Sequence, residues 1–429
     1  MSDYMGMEYL RRKLNQKRQR VNLRYKYYEM KNYVRDFGIS TPPELRGVNS
    51  SLGWCAKAVD SLADRIVFNE FRNDLLGMNS VFQMNNPDVL FQSAELSAMI
   101  AGCAFIYIQP PQRKGDNPPM QVIDGANATG IIDTVTGLLK EGYAVLERDP
   151  YGVVKTEAYF LPNETQIYYK DKSYMDIIRH EVEHPLLVPI IYRPGAKRPF
   201  GHSRISRACM SLVNSAVRTV KRSEISAEFF SYPQKYIAGL SEDVEIADKW
   251  QTSMSAMLAI TKDEDGDKPT FGQFMQQSMT PHADHLKMFA SMFAGETGLT
   301  LDDLGFPTAN PSSADAIKAA HDSLRLTARA AQRSFGAGFR NAGYLAVSLR
   351  DQKMYKRSAA CRSIPSWEPI FEPDASMLSA IGDGVLKLNQ SVEGYIDEET
   401  IGDLTGIRKI GESDGGNNSE ASGGTNAAV

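Results

Sequence analysis

The chain has 429 residues, of which 42% are hydrophobic and 23% charged, so it can bury a large core and is not disordered as a whole. Its 48 basic and 52 acidic residues give a net charge of -4, which excludes a polycation that holds DNA by bulk charge. The four cysteines lie far apart in the sequence, which excludes a disulfide scaffold and a cysteine-based zinc site.

A basic helix is predicted near the N-terminus, over residues 9–35. It carries ten basic residues and one acid, Glu29, with Tyr25, Tyr27 and Tyr28 interleaved. One interpretation is a surface that faces nucleic acid or an acidic partner. The other is a solvated amphipathic helix whose aromatic rings pack inward.

Two further helices and a strand follow. The first helix is predicted near Ser50–Arg65, where apolar residues recur at helical spacing. The Asn-Pro-Asp sequence at 86–88 begins the second, and Gly102 ends it. The apolar run Ala104–Ile108 is then predicted to be a strand.

Between Met120 and Tyr192 the pattern changes to short alternating segments separated by turn signals. The predicted strands are Gly142–Arg148, Val153–Phe160, Gln166–Lys170 and Met175–Glu181. Their close spacing predicts an antiparallel meander.

Two helices are predicted to flank a compact insert. The first runs from Ser203 to about Phe230, and the second begins at Pro281. The insert, residues 231–280, has predicted strands at Gln234–Ala238 and Met257–Thr261. The basic residues expected on the polar side of the first helix are Arg204, Arg207, Arg218, Lys221 and Arg222.

The C-terminal part is predicted to be helical. Ser312 is a plausible N-cap of a helix that extends to about Leu349. Two short helices are predicted in 374–407, and the polar tail from Glu412 is predicted to be disordered. The whole pattern predicts an α+β fold that is mainly helical.

The HEVEH sequence at 180–184 matches the zinc-protease pattern HExxH, which needs both histidines on one face of a helix. Pro185 follows at once and the preceding residues favour a strand, so we interpret the match as chance. The sequence has no Gly-x-Ser-x-Gly elbow and no phosphate-binding loop. No catalytic constellation, metal site or cofactor is predicted.

No apolar run is long enough to span a bilayer, and the N-terminus lacks the apolar region of a signal peptide.

Four segments stand out together in the chain. They are RVNLRYKYYEMKN with PPELRGVNSSLGWCAKAVDSLADRI, LSAMIAGCAFIYIQP, HPLLVPIIYRPGAKRPFGHSRIS and LGFPTANPSSADAIKAAHDSLRLTARAAQRSFGAGFRNAGYLAV. In order and spacing they resemble the portal (head-to-tail connector) proteins of tailed double-stranded DNA bacteriophages, the SPP1/HK97-like portal family. The last segment is the clearest, because that family has an NPSSA start before a long helix. The resemblance covers about residues 20–408.

The resemblance implies a ring-forming portal fold with long stem and crown helices, and no enzymatic activity. About twelve identical copies would form a ring at one capsid vertex, with double-stranded DNA passing through its channel. The implied partners are the large terminase subunit, a head-completion adaptor, and the major capsid and scaffolding proteins, without a membrane. The implied location is the virion, after assembly in the host cytoplasm.

The resemblance also implies a division of the chain into regions. These are a wing at 1–202 that holds the β meander, a stem helix at 203–230, a small α/β clip at 231–280, a returning stem helix at 281–298, a tunnel loop at 299–311, a long wing and crown helix at 312–364, a crown at 365–411 and a tail at 412–429.

Candidate functional residues follow from that division. The candidate DNA-channel cations are Lys262, Lys268 and Lys287, for which an ordinary solvated lysine is the alternative. The tunnel loop includes Leu301, Asp302, Asp303 and Leu304, and this segment has no Lys or Arg. The candidate residues for binding a basic partner at the clip are Asp263, Glu264, Asp265 and Asp267.

Two other functions stay open at this point. One is a metal-dependent hydrolase that uses His180, Glu181 and His184. The other is a non-enzymatic DNA-binding adaptor that works through the basic N-terminal helix.

Overall fold

The computed structural model describes residues 4–35, 47, 49–170, 173–231, 235–238, 270–273, 278–307, 319–371, 373 and 375–407. The helices are α1 (Met7–Tyr28), α2 (Trp54–Ala63), α3 (Met78–Gln83), α4 (Pro87–Ala101), α5 (Arg207–Ser231), α6 (Thr280–Thr297), α7 (Asp322–Arg350), α8 (Arg357–Ala360), α9 (Ala375–Ser391) and α10 (Glu398–Thr405). The strands are β1 (Phe68–Arg72), β2 (Cys103–Ile108), β3 (Met120–Ile123), β4 (Ala128–Ile132), β5 (Leu139–Arg148), β6 (Val154–Leu161), β7 (Glu164–Tyr169), β8 (Tyr174–Arg179), β9 (Leu187–Ile191), β10 (Lys235–Ala238), β11 (Thr270–Gln273) and β12 (Ile364–Trp367).

The meander is confirmed as a five-stranded antiparallel sheet in the order β4-β5-β6-β7-β8. The four predicted strands correspond to β5–β8, and β4 adds a strand that the sequence pattern did not predict. In register, Tyr143 of β5 lies opposite Tyr159 of β6. Both side chains are buried, because they share the sheet face that α1 covers.

The predicted succession of helix, glycine and strand is also confirmed. Pro87 occupies the first turn of α4, and Gly102 ends it with φ +102°, a conformation that favours glycine. All six residues of β2 are buried, since this strand is central in the three-stranded sheet β3-β2-β9. A fully buried strand explains why its sequence is continuously apolar rather than alternating.

The long helix α7 packs across this core. It contacts β9 and β2 on one side and α3 on another. An aromatic cluster joins it to the N-terminal half, with the Phe91 and Phe339 ring centroids 4.6 Å apart and those of Phe68 and Phe91 4.4 Å apart. Aromatic pairs in this range stabilise beyond the area that they bury.

Several elements differ from the sequence-based predictions. Helix α1 begins at Met7 and ends at Tyr28 rather than near residue 35, and Met30 beyond it has φ +57°. Helix α5 begins at Arg207 rather than at Ser203, because the Ser206 hydroxyl accepts a hydrogen bond from the Cys209 amide (3.1 Å) and so caps the helix. Helix α7 is described from Asp322, and the predicted start near Ser312 lies outside the described residues.

The four cysteines are free thiols. Cys55, Cys103 and Cys209 are buried, and burial raises the pKa of all three, whereas Cys361 is exposed. The sequence-based exclusion of a disulfide scaffold agrees with this arrangement.

Two buried glutamates of the meander hold α1 against the sheet. Glu141 of β5 accepts hydrogen bonds from the amides of Met5 (2.9 Å) and Gly6 (3.2 Å), which lie at the N-terminus of α1. A carboxylate there satisfies helix donors that have no partner within the helix, and it favours the positive end of the helix dipole. Glu157 of β6 accepts from Arg11 Nη2 (2.6 Å) and from the Tyr143 hydroxyl (2.6 Å).

We expect Glu141→Ala to lower the free energy of unfolding by about 2 kcal/mol, because two partly buried amides and the buried Tyr159 hydroxyl lose a charged acceptor. Hydrogen exchange should rise selectively in the first turns of α1. Glu147→Ala is the matched control, since Glu147 lies on the same strand but its side chain is 53% exposed, pairs with Lys155 and accepts only a long hydrogen bond (3.3 Å) from the Thr156 hydroxyl. Equal exchange of α1 amides in both variants would show that Glu141 does not hold the helix.

Candidate functional site

Helices α5 and α6 form an antiparallel hairpin. The start of α5 lies against the end of α6, where the Ser206 hydroxyl donates to Glu296 Oε1 (2.8 Å). Their far ends lead into β10 and β11, which pair antiparallel with Lys235 opposite Gln273. The predicted strand at Gln234–Ala238 is therefore confirmed as β10, whereas Met257–Thr261 lies outside the described residues.

The hairpin carries apolar side chains on its buried side and also on part of its exposed surface. The buried contacts between its helices and the core come from small and apolar side chains, which are Cys209, Val213, Ala216, Ala290 and Phe293. On α6, Met288 and Met292 are 40% and 52% exposed, on a helix that also buries an apolar face.

Arg204 joins the base of the hairpin to the core. Its Nε donates to the carbonyl of Ala58 in α2 (2.7 Å), and its Nη2 donates to the carbonyl of Thr297 at the end of α6 (2.7 Å). The prediction that Arg204 decorates the exposed side of a helix is wrong, since the residue is 9% exposed and precedes α5. A buried arginine is retained where backbone carbonyls satisfy its donors.

The predicted tunnel segment begins directly after α6. Asp302–Leu304 forms one 3₁₀ turn, in which Asp302 is exposed and Leu304 is buried. Asp303 accepts hydrogen bonds from the Thr300 amide (2.9 Å) and hydroxyl (2.8 Å). Burial acts to raise the pKa of Asp303, but these hydrogen bonds outweigh it and hold the pKa below its ordinary value.

His321 connects this segment to the long helix. It is the N-cap of α7, and its Nδ1 lies 3.9 Å from Asp303 Oδ2. Its ring also faces Phe371, with the centroids 6.2 Å apart. No sequence pattern singled out His321, because its contacts join segments that are separated along the chain.

The candidate channel and clip residues are unevenly covered by the structure. Lys287 is exposed on α6, in the turn after His282 and Asp284. The other two candidate cations and the four acidic candidates lie outside the described residues; these are Lys262, Lys268, Asp263, Glu264, Asp265 and Asp267. The assignment of Lys287 to a channel stays a prediction.

The basic residues of α1 divide between its two faces. Lys13 Nζ donates to the carbonyl of Gly130 (2.7 Å), Arg24 Nη1 donates to that of Ala101 (2.8 Å), and Lys17 Nζ lies 5.3 Å from the centroid of the Phe105 ring. Burial lowers the pKa of all three groups. These cations therefore anchor α1 to the body of the protein and are not presented to a nucleic acid.

The tyrosines of α1 follow the same arrangement. Their hydroxyls pair with partners on other elements, which are Ser97 for Tyr25, Asn214 for Tyr27 and Asp60 for Tyr28, each at 2.8 Å. The interpretation of α1 as an amphipathic helix with inward aromatic rings is thus confirmed. Its remaining exposed cations are Arg12, Arg20 and Lys26.

The HEVEH sequence does not form a helix. His180 follows the end of β8, and the residues from Glu181 to His184 have irregular backbone. Burial lowers the pKa of His180 to about 4, so its imidazole is neutral at ordinary pH. In the described part of the chain, no three His, Cys, Asp or Glu side chains come together as a metal-binding group.

Within the described ranges, no helix combines the length and the apolar character that spanning a membrane needs.

Two solved structures resemble this chain over most of its length. A solved structure titled "Virion of native gene transfer agent (GTA) particle" has a TM-score of 0.46 at 12% identity, and covers 90% of this chain and 99% of the other. A second, "Neck of native GTA particle computed with C12 symmetry", has a TM-score of 0.45 at 13% identity over the same shares.

Two curated relatives and one family model match most of the sequence. The portal protein of Mycobacterium phage D29 is 24% identical over 393 residues, which is 87% of this chain and 79% of the relative. That of Mycobacterium phage L5 is 23% identical over 395 residues, with the same coverage. The model of the family described as "Phage portal protein, SPP1 Gp6-like" matches residues 8–360, from the second residue of α1 to the end of α8. The chain therefore belongs to the SPP1 Gp6-like family of phage portal proteins.

Proposed function

We propose that copies of this chain form a closed ring around a channel at one capsid vertex, through which the phage genome is packaged and ejected. The family match over residues 8–360 carries this proposal. In the same proposal the ring has about twelve copies. It docks the large terminase subunit during packaging, and later the head-completion and tail proteins. It contacts the major capsid and scaffolding proteins, and it assembles in the host cytoplasm before it becomes part of the virion.

In this proposal, each region is assigned to particular elements of the fold. The wing comprises α1–α4 and the strands up to β9, the stem comprises α5 and α6, and the clip is the insert from which β10 and β11 emerge. The tunnel loop includes the 3₁₀ turn at Asp302–Leu304. Helix α7 extends from the wing toward the crown, which holds α9 and α10.

A conduit for moving DNA should contact phosphates weakly and without reading sequence. The composition of the proposed tunnel segment supports this, since residues 301–304 offer two carboxylates and no cation. Lys287 is the proposed phosphate contact on the stem. The four acids at 263–267 are the proposed contact for a basic partner at the clip.

Membership in a family of structural virion proteins does not support the hydrolase alternative, and the irregular backbone at 180–184 lacks the helix that a zinc protease needs. The DNA-binding adaptor alternative loses support as well, because several α1 cations are turned into the protein.

Electron microscopy of the purified full-length chain tests the proposal. We expect ring-shaped particles with a central channel, and a mass by native mass spectrometry that is an integral multiple of 47.6 kDa near twelvefold. A chain that stays monomeric at high concentration, and forms no rings with scaffolding protein present, would contradict it.

A further inference from the structure

The outer side of α7 carries a groove that no other part of the described chain covers. Between α7 and β12 lies a cavity of about 710 Å³. Its lining combines cations with apolar side chains, which are Leu326, Arg329, Arg333, Arg340, Ile364 and Trp367. We call this the arginine groove.

The helix spacing places the arginines of the groove on one stripe. Residues 326, 329, 333 and 340 recur at intervals of three, four and seven along α7, so they share a face. Among the described residues, none of Arg329, Arg333 and Arg340 has a carboxylate or hydrogen-bond partner, whereas Arg325 pairs with Asp322. Within the described residues, the groove is therefore a cationic surface whose arginines have no carboxylate partner.

Exposed apolar side chains lie beside the arginines of the groove. Leu326 and Ile364 are each 55% exposed at the rim of the groove. A surface that combines uncompensated arginines with exposed aliphatic side chains fits a partner that is both acidic and apolar.

The C-terminal helical pair, α9 and α10 with their connection, has this complementary chemistry. Residues 375–407 hold six acids and one lysine. No residue of α9 is buried. Several of the pair's apolar side chains are between 46% and 67% exposed, which are Leu386, Leu388, Val392, Tyr395 and Leu404.

The pair does not fill the groove of its own chain. Its C-terminal end lies beside Pro369, whose Cγ is 3.3 Å from the position of a Cβ on Gly406. None of its residues lines the arginine groove. Two complementary surfaces at different places on one chain can meet between neighbouring copies, and such head-to-tail contacts form a ring when the rotation between copies closes.

We infer that the arginine groove of one copy receives the C-terminal helical pair of a neighbouring copy, with Arg329 and Arg333 facing acids such as Asp383 and Glu393. This inference rests on the proposed ring and names the surfaces that hold neighbouring copies together.

Two charge-reversal variants test the pairing. One is Arg329→Glu with Arg333→Glu, and the other is Asp383→Lys with Glu393→Lys. Like charges would then face each other, so we expect each variant alone to lower the fraction of chain in rings by about tenfold or more at fixed concentration. Mass photometry measures that fraction. Thermal unfolding followed by circular dichroism checks that each variant folds.

Mixing the two variants gives the decisive result. Groove and helical pair are then complementary only between unlike copies, so we expect alternating rings to form from the mixture but from neither variant alone. A chain that carries all four substitutions should also form rings. The control is Arg113→Glu with Lys114→Glu, which reverses two exposed charges outside the groove and should leave rings intact.

The outcomes separate this inference from the ring proposal. Absence of rings from the unmodified chain contradicts the proposed function itself. Rings from the unmodified chain that survive both reversals overturn only the pairing. Loss of rings that neither mixing nor the four-substitution chain restores also overturns it, because the reversed charges then do not meet.

Discussion

Arg204→Ala is expected to lower the free energy of unfolding by about 3 kcal/mol or more, because hydrogen bonds from a charged donor contribute roughly 1.5–3 kcal/mol each. Its guanidinium donates to carbonyls at Ala58 and Thr297, so one side chain joins α2, the start of α5 and the end of α6. Without it, the buried carbonyl oxygens lose their donor. Urea denaturation followed by circular dichroism, at one protein concentration for all variants, measures the loss.

A matched control lies three residues further along. Arg207 is exposed in the first turn of α5, and Arg207→Ala should change the stability by less than about 0.5 kcal/mol. Arg204→Lys should lie between the two, because an ammonium does not have the fork geometry that reaches both carbonyls. If Arg204→Ala unfolds at the same urea concentration as the unmodified chain, the guanidinium does not hold the hairpin base.

Gly201→Ala is expected to prevent folding or to cost more than about 3 kcal/mol. Gly201 has φ +71°, and a Cβ at its position would lie 2.1 Å from the carbonyl oxygen of Tyr192 and 2.8 Å from Ile191 Cγ2. The obstacle is backbone, so no side-chain rotation relieves it. The yield of soluble chain and its melting temperature report the effect.

Gly195 supplies the comparison, because it lies in the same connector, which is the segment 192–206 between β9 and α5. Its φ lies outside the left-handed region, and the nearest heavy atom to an added Cβ would be His202 Cε1 at 3.8 Å. Gly195→Ala should therefore fold with a melting temperature near that of the unmodified chain. A soluble Gly201→Ala protein with an unchanged melting temperature would show that the connector can move to accept a methyl group.

The sequence predicted those helices and strands whose start, end and periodicity are marked by residues within or next to the element. Proline in the first turn and glycine at the end set the bounds of α4, and alternating segments with turn residues predicted β5–β8. Strands β1 and β12 were not predicted, because they pair with each other although Phe68 and its partner Trp367 lie far apart in the sequence. Such a pairing is stabilised by tertiary contacts that short strands do not reveal in sequence.

The functional residues likewise divide into those that local sequence patterns predict and those that depend on contacts with distant residues. The hairpin around the insert was predictable from helical periodicity, since its buried side reads as an apolar stripe. Arg204 was misplaced because arginine is usually exposed, and only its distant carbonyl partners explain its burial. The inward cations of α1 escaped prediction for the same reason, because charge alone does not indicate what a side chain faces.

The distribution of thiols has a practical consequence for counting subunits. Three cysteines are buried with raised pKa values, so little reactive thiolate forms at them, and Cys361 alone is exposed. A maleimide dye would therefore attach once per copy under native conditions. The number of photobleaching steps from a single assembled particle would then equal its number of subunits, without any engineered label.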